Sequence, residues 1–339
     1  MKKTKNITLK EIAEKIGVSK VTVSKALRDH PDISKARIKE VKEISSKLGY
    51  IPNFAARNLS AKKTRTIGVV VPTITNTFFS KYIESIYNCA FEKNYDIILA
   101  VSQENSKKEM KHLETMLSMN VDGIIISIVE HSENKVIFDR ISSSEIPLVF
   151  FDRIIKNANF SSVVLANKNG SYELVEMAIK KGYKKIGHFG GWQDSNIGKE
   201  RYLGYKNALK KNKIALNEEW VIISGFEKNH GHNSFMKLYQ NNNLPEIIFA
   251  VTFPVALGIL EAATNVGVKI PEDLDIICFG DSELNNYIKP KISCVIHDTD
   301  KFAKETFNLI LKQINSNDKL IDENLEIKTE VLIKETCDK

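Results

Sequence analysis

Three short stretches in the first fifty residues carry apolar positions at helical spacing. Ile12, Ala13 and Ile16 share one face ahead of Gly17, Val23, Ala26 and Leu27 share another after Ser19, and Ile38, Val41, Ile44 and Leu48 form a stripe ending at Gly49. Thr8 and Glu11 stand three apart, as a capping box requires, and Ser19 is placed to cap a second helix. The spacing therefore predicts helices over Leu9 to Ile16, from Lys20 onward, and over Ser34 to Lys47. A turn as short as Gly17-Val18 forces the first two to cross steeply, and the third closes a miniature core.

From Thr66 the pattern changes to short apolar runs separated by helical stretches. TIGVVVP, YDIILAVS, VDGIIISI and PLVFFD form one set; SSVVLA, KKIGHFGG, WVIISG, EIIFAV and DLDIICFG form a second. Continuous apolar strands alternating with helices imply parallel sheets covered on both faces. The expected fold class is an N-terminal all-α helix-turn-helix domain (1–51), a linker (52–65) and a two-lobed α/β core (66–339). Lobe 1 is expected at about 66–153 plus 298–320, and lobe 2 at about 161–292 plus 323–335. The last helix, Asp300 to Ile314, and LEIKTEVLIKE are candidates to cross back between lobes.

Charge divides the chain in the same way. The 66 residues at the N-terminal end contain 17 Lys/Arg against 6 Asp/Glu, a net +11, whereas the rest carries 32 against 36, a net −4. A basic module joined to a near-neutral body suggests a polyanion partner, with solvated surface lysines as the alternative. No run of eighteen apolar residues exists and the start MKKTKN has no signal-peptide core, so a cytoplasmic protein without a membrane partner is expected. Cys89, Cys278, Cys294 and Cys337 lack paired spacing, which points to reduced structural thiols.

In a helix-turn-helix the second helix enters the major groove with its N-terminal residues at base edges. Lys20, Val21, Ser24 and Lys25 fall on one outward face. Lysine can donate to guanine, valine can pack on a thymine methyl, and Thr22 and Ser24 can bind phosphate oxygens. A generic helical hairpin remains the alternative on this pattern alone.

VSKVTVSKAL resembles the recognition helix, and GYIPNFAARNLSAKKTRTIGVVVP the hinge, of the lactose-repressor (LacI/GalR) family of bacterial transcription regulators. The likeness continues through TLKEIAEKIGVS, Asn76 with Phe78 and Phe79, VDGIIIS, IPLVFFD, GYKKIGHFGG, ER-x-x-G at Glu200 to Gly204, and VALGILEAATNVGVKIPEDL. The resemblance implies a homodimeric repressor on palindromic operator DNA. Thr8 and Ser19 to Lys25 would face DNA, and Asn53 to Ser60 would form a hinge helix carrying Asn53, Ala56 and a minor-groove wedge, Leu59. It also implies a small-molecule effector, related to a carbohydrate, bound between lobes as in periplasmic sugar-binding proteins. Carried over by position, Asn76, Phe78, Phe79, Asp152, Arg201, Phe226, Thr252, Phe253 and Asp281 would line that cleft.

The chain departs from the family where Asn-Asp usually follows the strand EIIFAV; here Thr252 and Phe253 stand. Gly280 precedes Asp281 where an acidic residue is common. Simple monosaccharides are thus expected to bind weakly, and a ligand offering an anionic group to Arg201 or an apolar face to the phenylalanines to bind better. No nucleophile elbow, P-loop or H-E-x-x-H is present, and Gly190-Gly191 lacks the full dinucleotide fingerprint. Neither an enzyme nor a cofactor is expected, and His230 and His232 are read as solvent-exposed rather than metal ligands. The rival readings are a transport-type binding protein, which would need an export signal and no DNA module, and a regulator without an effector.

Overall fold

A computed structural model of the protein describes residues 7–50, 63–130, 132, 134–156, 158–316 and 322–338. The expectations for Pro52, Asn53, Ala56, Leu59 and the hinge segment lie outside these residues. The chain divides into two compact units, Met1–Thr64 and Arg65–Lys339.

In the first unit the capping residues fix the helix ends. Thr8 Oγ1 accepts from the Glu11 N–H while Glu11 accepts from the Thr8 N–H at 2.7 Å, which starts α1 (Leu9–Ile16). Gly17, at φ +69°, ends it in the left-handed region that glycine adopts freely. Ser19 caps α2 (Lys20–Ala26) and Ser34 caps α3 (Lys35–Lys47), each accepting from the N–H three residues on. Ile12, Ala13, Val23, Ala26 and Val41 form the small core.

The second unit contains two six-stranded sheets. The first has the order β11-β5-β4-β3-β1-β2, built from β1 (Thr66–Val71), β2 (Asp96–Val101), β3 (Gly123–Ile126), β4 (Leu148–Phe151), β5 (Ser161–Leu165) and β11 (Asn324–Ile327). The second has the order β12-β10-β9-β8-β6-β7, from β6 (Ile186–Gly190), β7 (Val221–Ile223), β8 (Ile247–Ala250), β9 (Asp275–Phe279), β10 (Ser293–Ile296) and β12 (Glu330–Leu332). All pairings are parallel except β10 with β12. Each sheet thus repeats one doubly wound order, in which ligands bind beyond the carboxyl ends of the strands. Helices α4 (Thr77–Glu92), α5 (Ser106–Ser118), α6 (Lys135–Ser142) and α11 (Thr299–Ile314) accompany the first sheet; α7 (Asn167–Lys180), α8 (Asn196–Lys211), α9 (Lys228–Gln240) and α10 (Phe253–Val266) accompany the second.

Strand pairing corrects the expected lobe limits. Ser161–Leu165 was expected in lobe 2, but it pairs with β4 and β11 in the first sheet, so the first crossover follows Leu165. The second crossover joins β10 to α11 through His297 and Asp298, which extends the second lobe past residue 292. The third joins β11 in the first sheet to β12 in the second, so 323–335 belongs to both lobes. The two-residue gap between β11 and β12, Lys328 and Thr329, had no periodicity signal to assign it.

In the second lobe α9 and α10 approach through two glycines. A Cβ on Gly231 would lie 1.9 Å from the Val255 carbonyl oxygen, and one on Gly258 2.0 Å from that of Lys228. Both obstacles are backbone, which cannot rotate away. Gly231→Ala should therefore lower unfolding free energy by roughly 1–3 kcal/mol through overpacking, read as a lower denaturation midpoint. An unchanged midpoint would mean that the helices separate freely.

Candidate functional site

On the first unit, α2 presents Lys20 and Val21 outward, Val21 being 65% exposed although its neighbour Val23 is fully buried. An apolar side chain held in water at the start of a helix is available for contact with another surface. Thr22, Ser24 and Lys25 are half-buried. Ser19 Oγ lies 2.9 Å from Thr22 Oγ1, the Arg28 guanidinium donates to Ser24 Oγ at 3.3 Å, and Lys25 Nζ is ion-paired with Asp32 at 2.7 Å. Lys25 and Ser24 are therefore engaged within the unit, whereas Lys20 and Val21 stand clear. Thr8 is exposed and spent as a cap.

In the second unit a cleft of about 180 Å³ lies between the lobes, lined by residues that follow strand ends in both sheets. Asn76, Phe78, Phe79, Asp152, Arg201, Phe226, Thr252, Phe253 and Asp281 all line it, although they are scattered over more than two hundred positions. A larger depression beside Ile33 and Ile38 on the first unit is open, and none of its lining residues is buried.

Arg201 comes from α8 and is 5% exposed. Its Nε donates to Asn167 Oδ1 at 2.9 Å and its Nη1 to the Val251 carbonyl at 2.7 Å, while the guanidinium carbon stands 3.7 Å over the Phe279 ring. Nη2 has no hydrogen-bond acceptor among the described residues. Burial pulls the guanidinium down to about 9, which leaves it charged at neutral pH.

Asp152, directly after β4, has φ +59°, in the left-handed region where aspartate is tolerated better than most side chains. Its carboxylate receives no hydrogen bond from the described residues. Burial raises its pKa, with Arg153 and Arg201 acting in the opposite direction. Asn196 of the second lobe holds this turn: its Nδ2 donates to the Asp152 carbonyl at 2.9 Å, and its Oδ1 accepts from the Ile154 N–H at 3.1 Å. The lobes are tied at a second place, where Thr77 Oγ1 donates to Ser282 Oγ at 3.3 Å and Lys81 pairs with Glu283 at 3.0 Å.

Some polar residues expected in the cleft are already committed. The Thr252 hydroxyl donates to the Phe226 carbonyl at 2.7 Å and caps α10. Asn76 Oδ1 caps α4 by accepting from the Phe78 N–H at 2.9 Å. Asp281 accepts from Lys334 and from Asn285, both at 2.9 Å, and from the Ser282 N–H; against the opposing effect of burial these bonds hold its carboxyl below the usual range. The apolar lining is extensive: Phe78, Phe79, Phe226, Phe253 and Phe279 all contribute.

Arg153, Asn196 and His297 were missed by sequence reasoning. Arg153 extends beneath Phe226, its guanidinium carbon 5.4 Å from the ring centroid, and pairs with Glu104 at 2.6 Å and Glu130 at 3.5 Å. His297 lies on the second crossover between Phe78 and Phe302, with Nδ1 unpartnered; burial, then Arg201, pulls it down to about 4, so it is neutral. Their one sequence signal was position: Arg153 and His297 come within two residues of a strand end, and Asn196 opens a helix after the loop that follows β6. The histidines at 230 and 232 divide, because His230 is buried against α9's own Ser234 at 3.0 Å, which corrects the expectation that both are exposed. The described residues contain no cluster of three metal-ligating side chains, and no helix among them is long and apolar enough to cross a membrane.

Comparison with known proteins fits both units. Residues 8–53 match the model of bacterial regulatory proteins of the lacI family, and residues 175–337 match a periplasmic binding protein-like domain. Catabolite control protein A of Priestia megaterium is 30% identical over 311 residues, 91% of this chain and 93% of that one. The HTH-type transcriptional repressor PurR of Haemophilus influenzae is 27% identical, covering 97% of this chain and 98% of its own. A crystal structure of the Lac repressor dimer bound to operator and the anti-inducer ONPF superposes with a TM-score of 0.87 at 19% identity, covering 98% of this chain and 99% of that chain. With both units matched in order, and a 30% identical relative covered over nearly its whole length, the chain belongs to the lacI family of bacterial regulatory proteins, which are DNA-binding transcriptional regulators and not enzymes.

Proposed function

We propose that this regulator is a dimeric repressor whose affinity for a palindromic operator is controlled by a carbohydrate-related small molecule in the interlobe cleft. The observation that carries the effector half is that the Asp152 carboxylate, which receives no hydrogen bond from the described residues, and Arg201 line one phenylalanine-rich cavity. A carboxylate accepts from ligand hydroxyls, Arg201 Nη2 donates to a ligand oxygen, and aromatic rings pack a sugar face. The DNA half rests on α2, where Lys20 and Val21 read base edges and Ser19, Thr22, Ser24 and Lys25 support or contact the backbone. Leu59, with Asn53 and Ala56, is assigned to the hinge by resemblance alone. A second copy would cover Phe91 and Tyr287, each 85% exposed, together with Tyr87 and Leu284, on α4 and on the short turn joined to its start by the Lys81–Glu283 pair.

Selection from random duplexes should return a palindrome, and log K should fall with log salt at about −0.9 per neutralised phosphate. Val21→Ser should shift base preference at one position of each half-site, at roughly 1–3 kcal/mol per lost contact. Affinity that ignores salt, or selection without a palindrome, would sink the DNA reading.

A thermal-shift panel of hexoses, aryl and alkyl hexosides, and nucleobases should identify a stabilising compound. Against that compound Asp152→Asn, which keeps the turn's tolerated backbone, should weaken binding by one to two orders of magnitude, about 1.5–3 kcal/mol for a charge-assisted hydrogen bond. Operator affinity without the compound should stay nearly constant, because the two sites lie in separate units. Calorimetry and gel shift check this, and undiminished effector binding would contradict the role of Asp152.

Phe91→Asp combined with Tyr287→Asp should convert the dimer to a monomer in sedimentation and reduce palindrome affinity much more than half-site affinity. A persistent dimer would place the interface elsewhere.

A further inference from the structure

The cleft contains two buried arginines, which would ordinarily suggest a phosphate or carboxylate ligand. Their surroundings argue otherwise. Arg153 is held between Glu104, which follows β2, and Glu130, which follows β3, so three strand ends of the first sheet converge to neutralise it. Arg201 faces Asp152, and among the described residues the lysine engaged with a cleft residue of the second lobe, Lys334, is bound to Asp281. Three cations (Arg153, Arg201, Lys334) thus stand against five carboxylates (Asp152, Glu227, Asp281, Glu104, Glu130) in and directly behind the lining. The acidic excess survives even if Asp152 binds a proton. His297 adds no positive charge, since its ring is neutral.

From this geometry we propose that Glu104 and Glu130 are the charge-specificity residues of the cleft: by neutralising Arg153 they make it a site for an uncharged effector with an apolar face, and bar phosphorylated or carboxylated ones. The inference rests on the cleft being the effector site. It reverses the sequence-based expectation of an anionic group on Arg201 and keeps the expectation of an apolar face. Bringing an anion into this site adds like charge beside the buried Asp152 and the carboxylates that hold Arg153, and Arg153 cannot turn to meet it without abandoning Glu104 and Glu130. Phe226 lies over the same guanidinium, so an apolar ligand face and the neutralised cation share one wall of the cavity.

The test uses the full-length protein, inorganic phosphate as the probe, and low ionic strength. Because the basic N-terminal unit can also attract phosphate, the readout is the part of the calorimetric signal that Arg153→Met removes. Wild type should show no such part. Glu104→Gln with Glu130→Gln should acquire it, with phosphate affinity raised about tenfold or more, and adding Arg153→Met should abolish the gain. Because an uncompensated buried arginine can prevent folding, Glu130→Gln alone, which keeps the 2.6 Å pair to Glu104, serves as the second variant and should show a smaller gain in the same direction. Arg153-dependent phosphate binding by wild type, or folded variants with unchanged phosphate affinity, would overturn the proposal. No DNA enters the measurement, so loss of the regulatory reading in operator assays would be seen separately.

Discussion

The carboxamide of Asn196 holds together the part of the molecule on which the cleft depends. It is the first residue of α8 in the second lobe, yet both its polar atoms serve the turn after β4 in the first. Donating to the Asp152 carbonyl and accepting from the Ile154 N–H, it supplies the backbone partners that an irregular, buried turn would otherwise lack. With those bonds made, Asp152 can occupy the left-handed region and direct its carboxylate into the cavity while Arg153 passes beneath Phe226. Opening the lobes about their three crossovers must break this pair of bonds, so the shape of the binding wall and the closure of the lobes are one equilibrium. A ligand that engages Asp152 and the second-lobe phenylalanines together therefore favours the closed arrangement by its differential affinity for it.

The local signals in the sequence were clear where the structure is local. Thr8, Gly17, Ser19 and Ser34 set the helix ends of the first unit because capping needs only residues three or four apart. The parallel strands were legible because strands buried on both faces have nowhere to place polar residues. Strand partnership was not, since nothing in the SSVVL of β5 distinguishes one sheet from the other, and only the β4 and β11 edges decide where it pairs. The same limit governs the site. Asp152 and Arg201 were placed by family resemblance, whereas Arg153 depends on Glu104 and Glu130, 49 and 23 positions away in sequence and adjacent only after β2, β3 and β4 align. His297 looked like a linker residue because a crossover between lobes has no periodicity of its own.

Thr252, Phe253 and Gly280 acquire a physical meaning once the neighbouring atoms are known. The Thr252 hydroxyl is consumed by the Phe226 carbonyl and the cap of α10, and Gly280, at φ +87°, leaves its turn without a side chain. Asp281 next to it is turned toward Lys334 and Asn285. The second lobe thus offers the ligand mainly aromatic surface, and among the described lining residues the unpartnered hydrogen-bonding capacity lies at Asp152, Arg201, His297 and the buried Arg153 Nε. Such a wall gives orientation through few polar contacts and affinity through apolar area, which suits a ligand with one hydroxylated edge and one apolar face.

The two units thereby rest on different physics. The basic end of the chain, net +11, meets a phosphate backbone, so its binding is driven by counterion release and weakens steeply with salt. The cleft differs: Asp152, Arg153 and Arg201 are buried beside phenylalanines, so ions in solution screen these three less than the exposed charges of the basic end. On the proposed reading, changes in ionic strength therefore act more strongly on operator occupancy than on effector occupancy. If the cleft holds the effector as proposed, the signal and the grip on DNA answer to salt unequally, because the three charges nearest the ligand are buried and those of the basic end are not.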